Sequence, residues 1–188
     1  FTKILGCRQV LLVSGSQKRL TLDSVKALMD LNFSSFKNLN DFSIGIAFNP
    51  YLPDRLFEEE IVRLKCKLNS GLITSIWLQF GSDYQLLERR IKNLRDLISM
   101  TVNKYSHNSN ICIYGSVLIP SKQFLARFKF RPWKGVYCSE RFLSSPDYAN
   151  EVVKRILYIY LNYQICPVVE TDTSSIAKLK NLNNFFKI

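Results

Sequence analysis

Hydrophobic and polar positions along this chain alternate between two periods. Short runs of β-branched and aromatic residues are separated by longer stretches whose apolar residues recur every three or four positions, as expected of successive strand–helix units. Gln9–Val13 is the first run; beyond Ser14-Gly15-Ser16, the segment Thr21–Leu31 places Leu22, Val25, Leu28 and Met29 on one helical face. Phe42–Ala47 predicts a second strand and Asn49-Pro50-Tyr51-Leu52-Pro53 its exit loop. Asp54 is then the expected cap of a charged helix that ends near Leu68, just before Asn69-Ser70-Gly71.

Leu72–Phe80 is almost unbroken apolar sequence, which predicts a strand covered on both faces. Ser82-Asp83 opens the longest helix, reaching about Val102, and the polar stretch 103–110, with His107, reads as a surface loop. Ile111–Ile119 is the fourth strand, ended by Pro120, and Ser121–Phe128 a short helix. Ser145-Pro146-Asp147 starts a helix to Leu161 or Asn162, Ile165–Val169 is the fifth strand, and a last helix is expected from Ser174 to about Phe186. The alternation predicts an α/β domain with a mostly parallel sheet. Its five units fit either an open doubly wound sheet or part of a (β/α)8 barrel. No linker or repeat divides residues 1–188, so a single domain is expected.

Composition narrows the class. With 47% hydrophobic residues in 188, the chain can build a sizeable core, and Lys, Arg, Asp or Asn interrupts every apolar run before the roughly 18 residues a membrane span needs. Twenty-six Lys and Arg against fifteen Asp and Glu give +11, enough to attract phosphates, polyacids, RNA or anionic lipid heads. Cys7, Cys66, Cys112, Cys138 and Cys166 are scattered, odd in number and without a C-x-x-C pair. That argues against a disulfide scaffold or zinc finger and predicts reduced, mostly buried thiols in an intracellular compartment, cytoplasm or mitochondrial matrix. One histidine, His107, excludes a His-rich metal site.

In parallel α/β folds the ligand lies beyond the carboxyl ends of the strands. The residues there are Ser14-Gly15-Ser16-Gln17, Phe48-Asn49-Pro50, Gln79-Phe80-Gly81, Gly115-Ser116 and Glu170-Thr171-Asp172. Hydroxyls and amides dominate, which points to binding more than to nucleophilic chemistry. Ser14-Gly15-Ser16 reads either as a small phosphate cradle or as an ordinary strand-to-helix turn. Gln79, an amide ending the most hydrophobic strand, can make two directional bonds to a heterocycle or tie down a neighbouring loop. Lys67 complements the helix C-terminal dipole without any function. Lys122, Arg127, Lys129, Arg131 and Lys134, interleaved with Phe124, Phe128, Phe130 and Trp133, suit nucleic-acid binding or a solvated basic face over buried aromatics. Glu58-Glu59-Glu60, followed by Arg63 and Lys65, reads as an exposed helix face.

Several of these segments resemble, in order, the methylenetetrahydrofolate reductase family. Gly6-Cys7-Arg8-Gln9-Val10-Leu11-Leu12-Val13-Ser14-Gly15-Ser16, followed by Leu22-Asp23-Ser24-Val25, is similar to that family's fourth strand and next helix. Ile44-Gly45-Ile46-Ala47-Phe48-Asn49-Pro50 resembles its fifth strand, Leu64-Lys65-Cys66-Lys67-Leu68-Asn69-Ser70-Gly71 its Leu-x-x-Lys-x-Asp-x-Gly helix end, and Ile76-Trp77-Leu78-Gln79-Phe80 its Thr-Gln strand. Ile113-Tyr114-Gly115-Ser116-Val117-Leu118-Ile119-Pro120 resembles the seventh strand, and Arg131-Pro132-Trp133-Lys134-Gly135-Val136 fits a divergent branch.

The resemblance implies a TIM-type (β/α)8 barrel, of which this chain carries five of eight units. It also implies FAD, NAD(P)H as electron donor, and reduction of methylenetetrahydrofolate. By position, Gln79 and Thr171 would contact the folate, Lys67 would approach the flavin phosphates, and Ser14, Gly15, Ser16, Phe48 and Asn49 would line the flavin site. There are departures. Ser14-Gly15-Ser16 stands where the family has Arg-Gly-Asp, Asn49 where it has Tyr, and Asn69 where it has Asp. The resemblance begins at the fourth strand, so the catalytic glutamate of the first has no counterpart. Since the chain opens on Phe1 and not Met, a preceding segment or another chain is expected to complete the barrel before any catalysis. The alternatives are a non-catalytic homologue serving as a structural subunit of a larger, RNA-containing assembly, and an open nucleotide-binding α/β domain.

Overall fold

The computed structural model describes residues 6–14, 23–33, 43–102 and 111–171, together with Ile176 and Lys180. Their elements run β1 (Gln9–Leu12), α1 (Ser24–Phe33), β2 (Ser43–Phe48), α2 (Asp54–Asn69), β3 (Ile73–Leu78), α3 (Tyr84–Val102), β4 (Cys112–Leu118), α4 (Lys122–Phe130), α5 (Glu140–Ser144), α6 (Pro146–Asn162) and β5 (Cys166–Glu170). The five strands form one parallel sheet in the order β1-β2-β3-β4-β5. Among the described strands this order contains no reversal, so the switch-point crevice of a doubly wound sheet is absent. Right-handed crossovers that always step the same way put the described helices between the strands on one face of the sheet.

Two glycines identify the faces. A Cβ at Gly115 would lie 2.3 Å from the ring of Tyr160 on α6, so Gly115 looks toward the helices. A Cβ at Gly45 would meet Ser75 Oγ at 2.8 Å and Trp77 Nε1 at 2.9 Å, so Gly45, Ser75 and Trp77 share the opposite face. The core lies between sheet and helices: Ile44, Ile46 and Phe48 from β2, Ile73, Ile76 and Leu78 from β3, and Ile113 and Val117 from β4 pack on Leu64, Leu87, Ile91, Leu94, Val153 and Ile156. A covered strand on both faces was the expectation for Leu72–Phe80. Instead Ser75, Thr74 and Trp77 are only half-buried and Gln79 is exposed, because the face away from the helices is not covered to the same degree.

The helix starts follow their sequence signals with two shifts, the first being α1, which begins at Ser24 where Thr21 was expected. Ser121, Ser139 and Ser145 each accept a bond from the backbone N–H three residues on, capping α4, α5 and α6. Asp54, the expected cap of α2, is instead its first helical residue, after Pro53. Its carboxylate is drawn to the buried guanidinium of Arg90, which donates at 2.7 Å to Asp54 Oδ1, donates to the carbonyl oxygens of Pro50 and Leu52, and lies 3.8 Å over the Phe57 ring. The cysteines depart from expectation too. All five are free, but Cys7, Cys112 and Cys166 are exposed and Cys66 and Cys138 half-buried. Cys112 and Cys166 lie in the register of the open face, which explains their exposure. The expected last helix and His107 fall outside the described residues, save for Ile176 and Lys180, which are helical.

Because Tyr160 is 1% exposed, its ring cannot move aside for a new methyl group. Gly115→Ala should therefore cost about 1–3 kcal/mol of stability through overpacking. Urea unfolding should show a lower midpoint with an unchanged slope.

Candidate functional site

Parallel pairing aligns the open face into rows. Gly45, Ser75 and Cys112 share one row; Ala47, Trp77, Tyr114 and Cys166 share the next, and Ser116 pairs with Val168 one row higher. Side chains that share a row and a face stand side by side. Trp77 and Tyr114 accordingly stack, with ring centroids 4.5 Å apart and planes 25° apart. The indole N–H leans down to Ser75 Oγ at 3.1 Å, over the space that Gly45 leaves open. A Cβ at Gly45 would crowd this position of the indole.

Above the aromatic pair, at the carboxyl ends of the strands, sit three polar side chains. The ladder continues past β3, since Gln79 N–H donates to Phe48 carbonyl at 2.9 Å. With Leu78 and Phe80 buried on the helix side, Gln79 projects on the same face as Trp77 and is exposed. Its Oε1 accepts from Phe80 N–H at 2.9 Å, and among the described residues its amide nitrogen has no partner. Ser116, one row above Tyr114, donates its hydroxyl to Glu170, whose side chain reaches back from the end of β5. Gln79, Ser116 and Glu170 thus rim a shelf floored by Trp77 and Tyr114. A hollow on this face lies lower. It measures about 360 Å3 and runs from Gln9, Ser43 and Thr74 up to the undersides of Trp77 and Tyr114.

The other residues expected at the site are held differently. Asn49 spans two loops, its Oδ1 accepting from Tyr51 N–H at 3.0 Å and its Nδ2 donating to Gly135 carbonyl at 2.8 Å. Phe48 is 1% exposed and packs edge-on against Phe57, 5.9 Å away, in the helix layer. Ser14 Oγ accepts from Ser24 N–H at 3.0 Å, bonds Ser24 Oγ at 2.7 Å, and lies 3.5 Å from Arg63. Arg63 in turn donates to Asp23 Oδ1 at 2.8 Å. Lys67 is 4% exposed, with Nζ 3.9 Å from Glu60 Oε1. Burial pushes the Lys67 ammonium below its usual range and the Glu60 carboxyl above it. Thr171 follows β5 and is half-buried. Gly15 and Ser16 lie outside the described residues.

The structure therefore gathers Gln79 with Ser116, Glu170, Trp77 and Tyr114, and gathers Ser14 and Lys67 around Arg63, in two separate places. Trp77 and Tyr114 were missed as site residues from sequence, and Glu170 stood among the strand-end residues without a role. The signal for Trp77 and Tyr114 was their period-two spacing from Gln79 and Ser116, which becomes readable only once the pairing register is known. Among the described residues no three His, Cys, Asp or Glu side chains come together to hold a metal ion, and no helix is long and apolar enough to cross a membrane.

No protein-family model matches the chain, and no curated protein matches it. Among solved structures the chain is similar to an uncharacterized protein from Clostridium thermocellum that binds two copies of 5-methyl-5,6,7,8-tetrahydrofolic acid, with a TM-score of 0.56 and 14% identity. The match covers 93% of this chain and 60% of that one, so the chain spans about three fifths of that neighbour's length. At this identity the likeness speaks for the fold alone.

The Arg63–Asp23 pair gives a pH test of the lower cluster. The bond from Arg63 holds the Asp23 carboxyl below its usual range. A carboxylate so depressed stabilises the fold above its unfolded value of about 4, and the benefit fades as pH falls through the lower folded value. With both side chains over a third exposed, the gain is screened to about 0.2–1 kcal/mol. Asp23→Asn keeps an acceptor for Val25 N–H, so urea unfolding should find it weaker than the parent at pH 7 and nearly equal near pH 2.

Proposed function

We propose that residues 1–188 form one domain carrying the later strand–helix units of a TIM-type barrel of methylenetetrahydrofolate reductase ancestry, and that it binds a reduced folate at the carboxyl ends of its strands. The observation that carries this reading is the Trp77–Tyr114 stack beneath Gln79, Ser116 and Glu170. A pterin is a flat ring whose pyrimidine edge carries adjacent N–H donors beside a carbonyl. Aromatic faces favour such a ring by stacking, and a few placed polar groups fix its orientation. Glu170 is the acceptor for the donor edge, and the Gln79 amide nitrogen the donor for the carbonyl. The folate-binding neighbour of similar fold supports the choice of ligand, and its greater length suits a chain that supplies only the later units. Further sequence, or a partner chain, then closes the open face.

FAD fits the described residues poorly. Ser14 is engaged with Ser24 and Arg63, Lys67 is buried beside Glu60, Phe48 is packed against Phe57, and Asn49 bridges two loops. The expected donors that are described, Ser14, Asn49 and Lys67, already serve internal contacts, which disfavours a flavin and with it hydride transfer from NAD(P)H. The reading is of a folate-binding, non-catalytic homologue.

Titration calorimetry with 5-methyltetrahydrofolate should show binding by the parent chain. Glu170→Gln should weaken it about 10- to 100-fold and Gln79→Ala about 3- to 10-fold, as expected for losing a charged and a neutral hydrogen bond. No heat at millimolar ligand would sink the proposal. A purified protein with a flavin absorbance spectrum would restore the reductase.

A further inference from the structure

A second surface lies away from the shelf, on α4 and the segment that follows it. Phe124, Leu125 and Phe128 face the core, as expected of one side of an amphipathic helix. The other side is unusual. Phe130 is 85% exposed and Trp133 48%. Trp133 is not loose, since Phe124 and Phe128 hold it edge-on at 5.5 and 5.7 Å. Two exposed rings, one of them braced, therefore stand three residues apart, a span of at most about 10 Å along the backbone.

Around them the charge has one sign. Lys122, Arg127, Lys129, Arg131 and Lys134 are all exposed, and residues 121–139 contain no Asp or Glu. Among the described residues Arg127 and Arg131 have no carboxylate partner, and Lys129 reaches only Ser144 Oγ, at 3.4 Å. The backbone is nonetheless fixed: Tyr137 carbonyl accepts from Ser82 N–H at 2.9 Å, and Ser139 N–H donates to Ser82 Oγ at 2.7 Å. The strip thus combines two arginines, Arg127 and Arg131, that lack a carboxylate among the described residues with the exposed ring of Phe130 and the braced ring of Trp133.

We propose that this strip binds single-stranded RNA, with bases stacking on Phe130 and Trp133 and phosphates held by Arg127, Arg131 and the neighbouring lysines. Stacking platforms set among cations are how proteins bind single strands without reading sequence. An anionic membrane would instead need an apolar stripe to insert, and the outward side of α4 carries Lys122, Gln123, Arg127 and Lys129. An acidic peptide accounts for the cations but leaves the exposed rings unused.

The test is fluorescence anisotropy of a labelled twelve-nucleotide oligouridine with the full chain. Binding is expected, and Phe130→Ala should weaken it about 5- to 100-fold, the loss typical of one base stack. Since that ring is outside the core, the variant should unfold at the same urea concentration as the parent. Replacing Arg127 and Arg131 by Ala should reduce the slope of log affinity against log salt by about 1.4. Binding that Phe130→Ala leaves unchanged, and that inorganic polyphosphate displaces at equal charge, would reduce the strip to a plain polyanion site and overturn the proposal. So would binding to phosphatidylserine vesicles in place of the oligonucleotide, or binding to neither.

Discussion

The register between β3, β4 and β5 is the constraint from which the candidate site follows. Pairing Trp77 with Tyr114 sets two large rings side by side on the face away from the helices, and the same register lifts Gln79 and Ser116 above them. Shifting β4 by one residue would turn Tyr114 and Ser116 into the core and bring Ile113 and Gly115 out. Gly115 makes that slip impossible to tolerate, because Tyr160 needs its missing side chain. A contact in the helix layer thereby fixes which chemistry appears on the other side of the sheet.

Loops at the strand ends are secured by buried polar groups in place of regular structure. Arg90 gathers the carbonyls of Pro50 and Leu52 and the carboxylate of Asp54, while Asn49 ties that loop to Gly135. Segment 135–139 is in turn pinned to Ser82, and Gly81 lies against the Tyr51 ring. Buried cations of this kind are costly to desolvate and rewarded only when every donor finds an acceptor. The result is that the shelf and the basic strip are both anchored to the segment that follows β3, the shelf through Gln79 and the strip through Ser82. Each can take its own ligand on the same rigid frame.

Much of the fold was legible in the sequence because β-branched runs and helical spacing alternate so regularly. All five strands fall within two residues of their expected ends. What sequence could not give was the identity of the faces. Leu72–Phe80 looked like a strand covered on both sides because Trp77 counts as apolar, yet its ring forms the floor of an open shelf. α5 was missed because five residues cannot show a period, although Ser139 and Phe142 stand at the spacing of a cap and its first buried residue. Phe48 and Lys67 stand at positions matched by family resemblance, and local packing has turned both inward. Glu170 stood among the strand-end residues but had no role by sequence, since only its reach to Ser116 distinguishes it.

Folate binding at this site requires a planar ligand against Trp77. The chain has two tryptophans, so an amide-proton NMR spectrum shows two indole N–H signals, assigned by Trp133→Phe. Addition of 5-methyltetrahydrofolate should move the Trp77 signal and leave that of Trp133 in place. Saturable folate binding with an unmoved Trp77 signal would contradict the account.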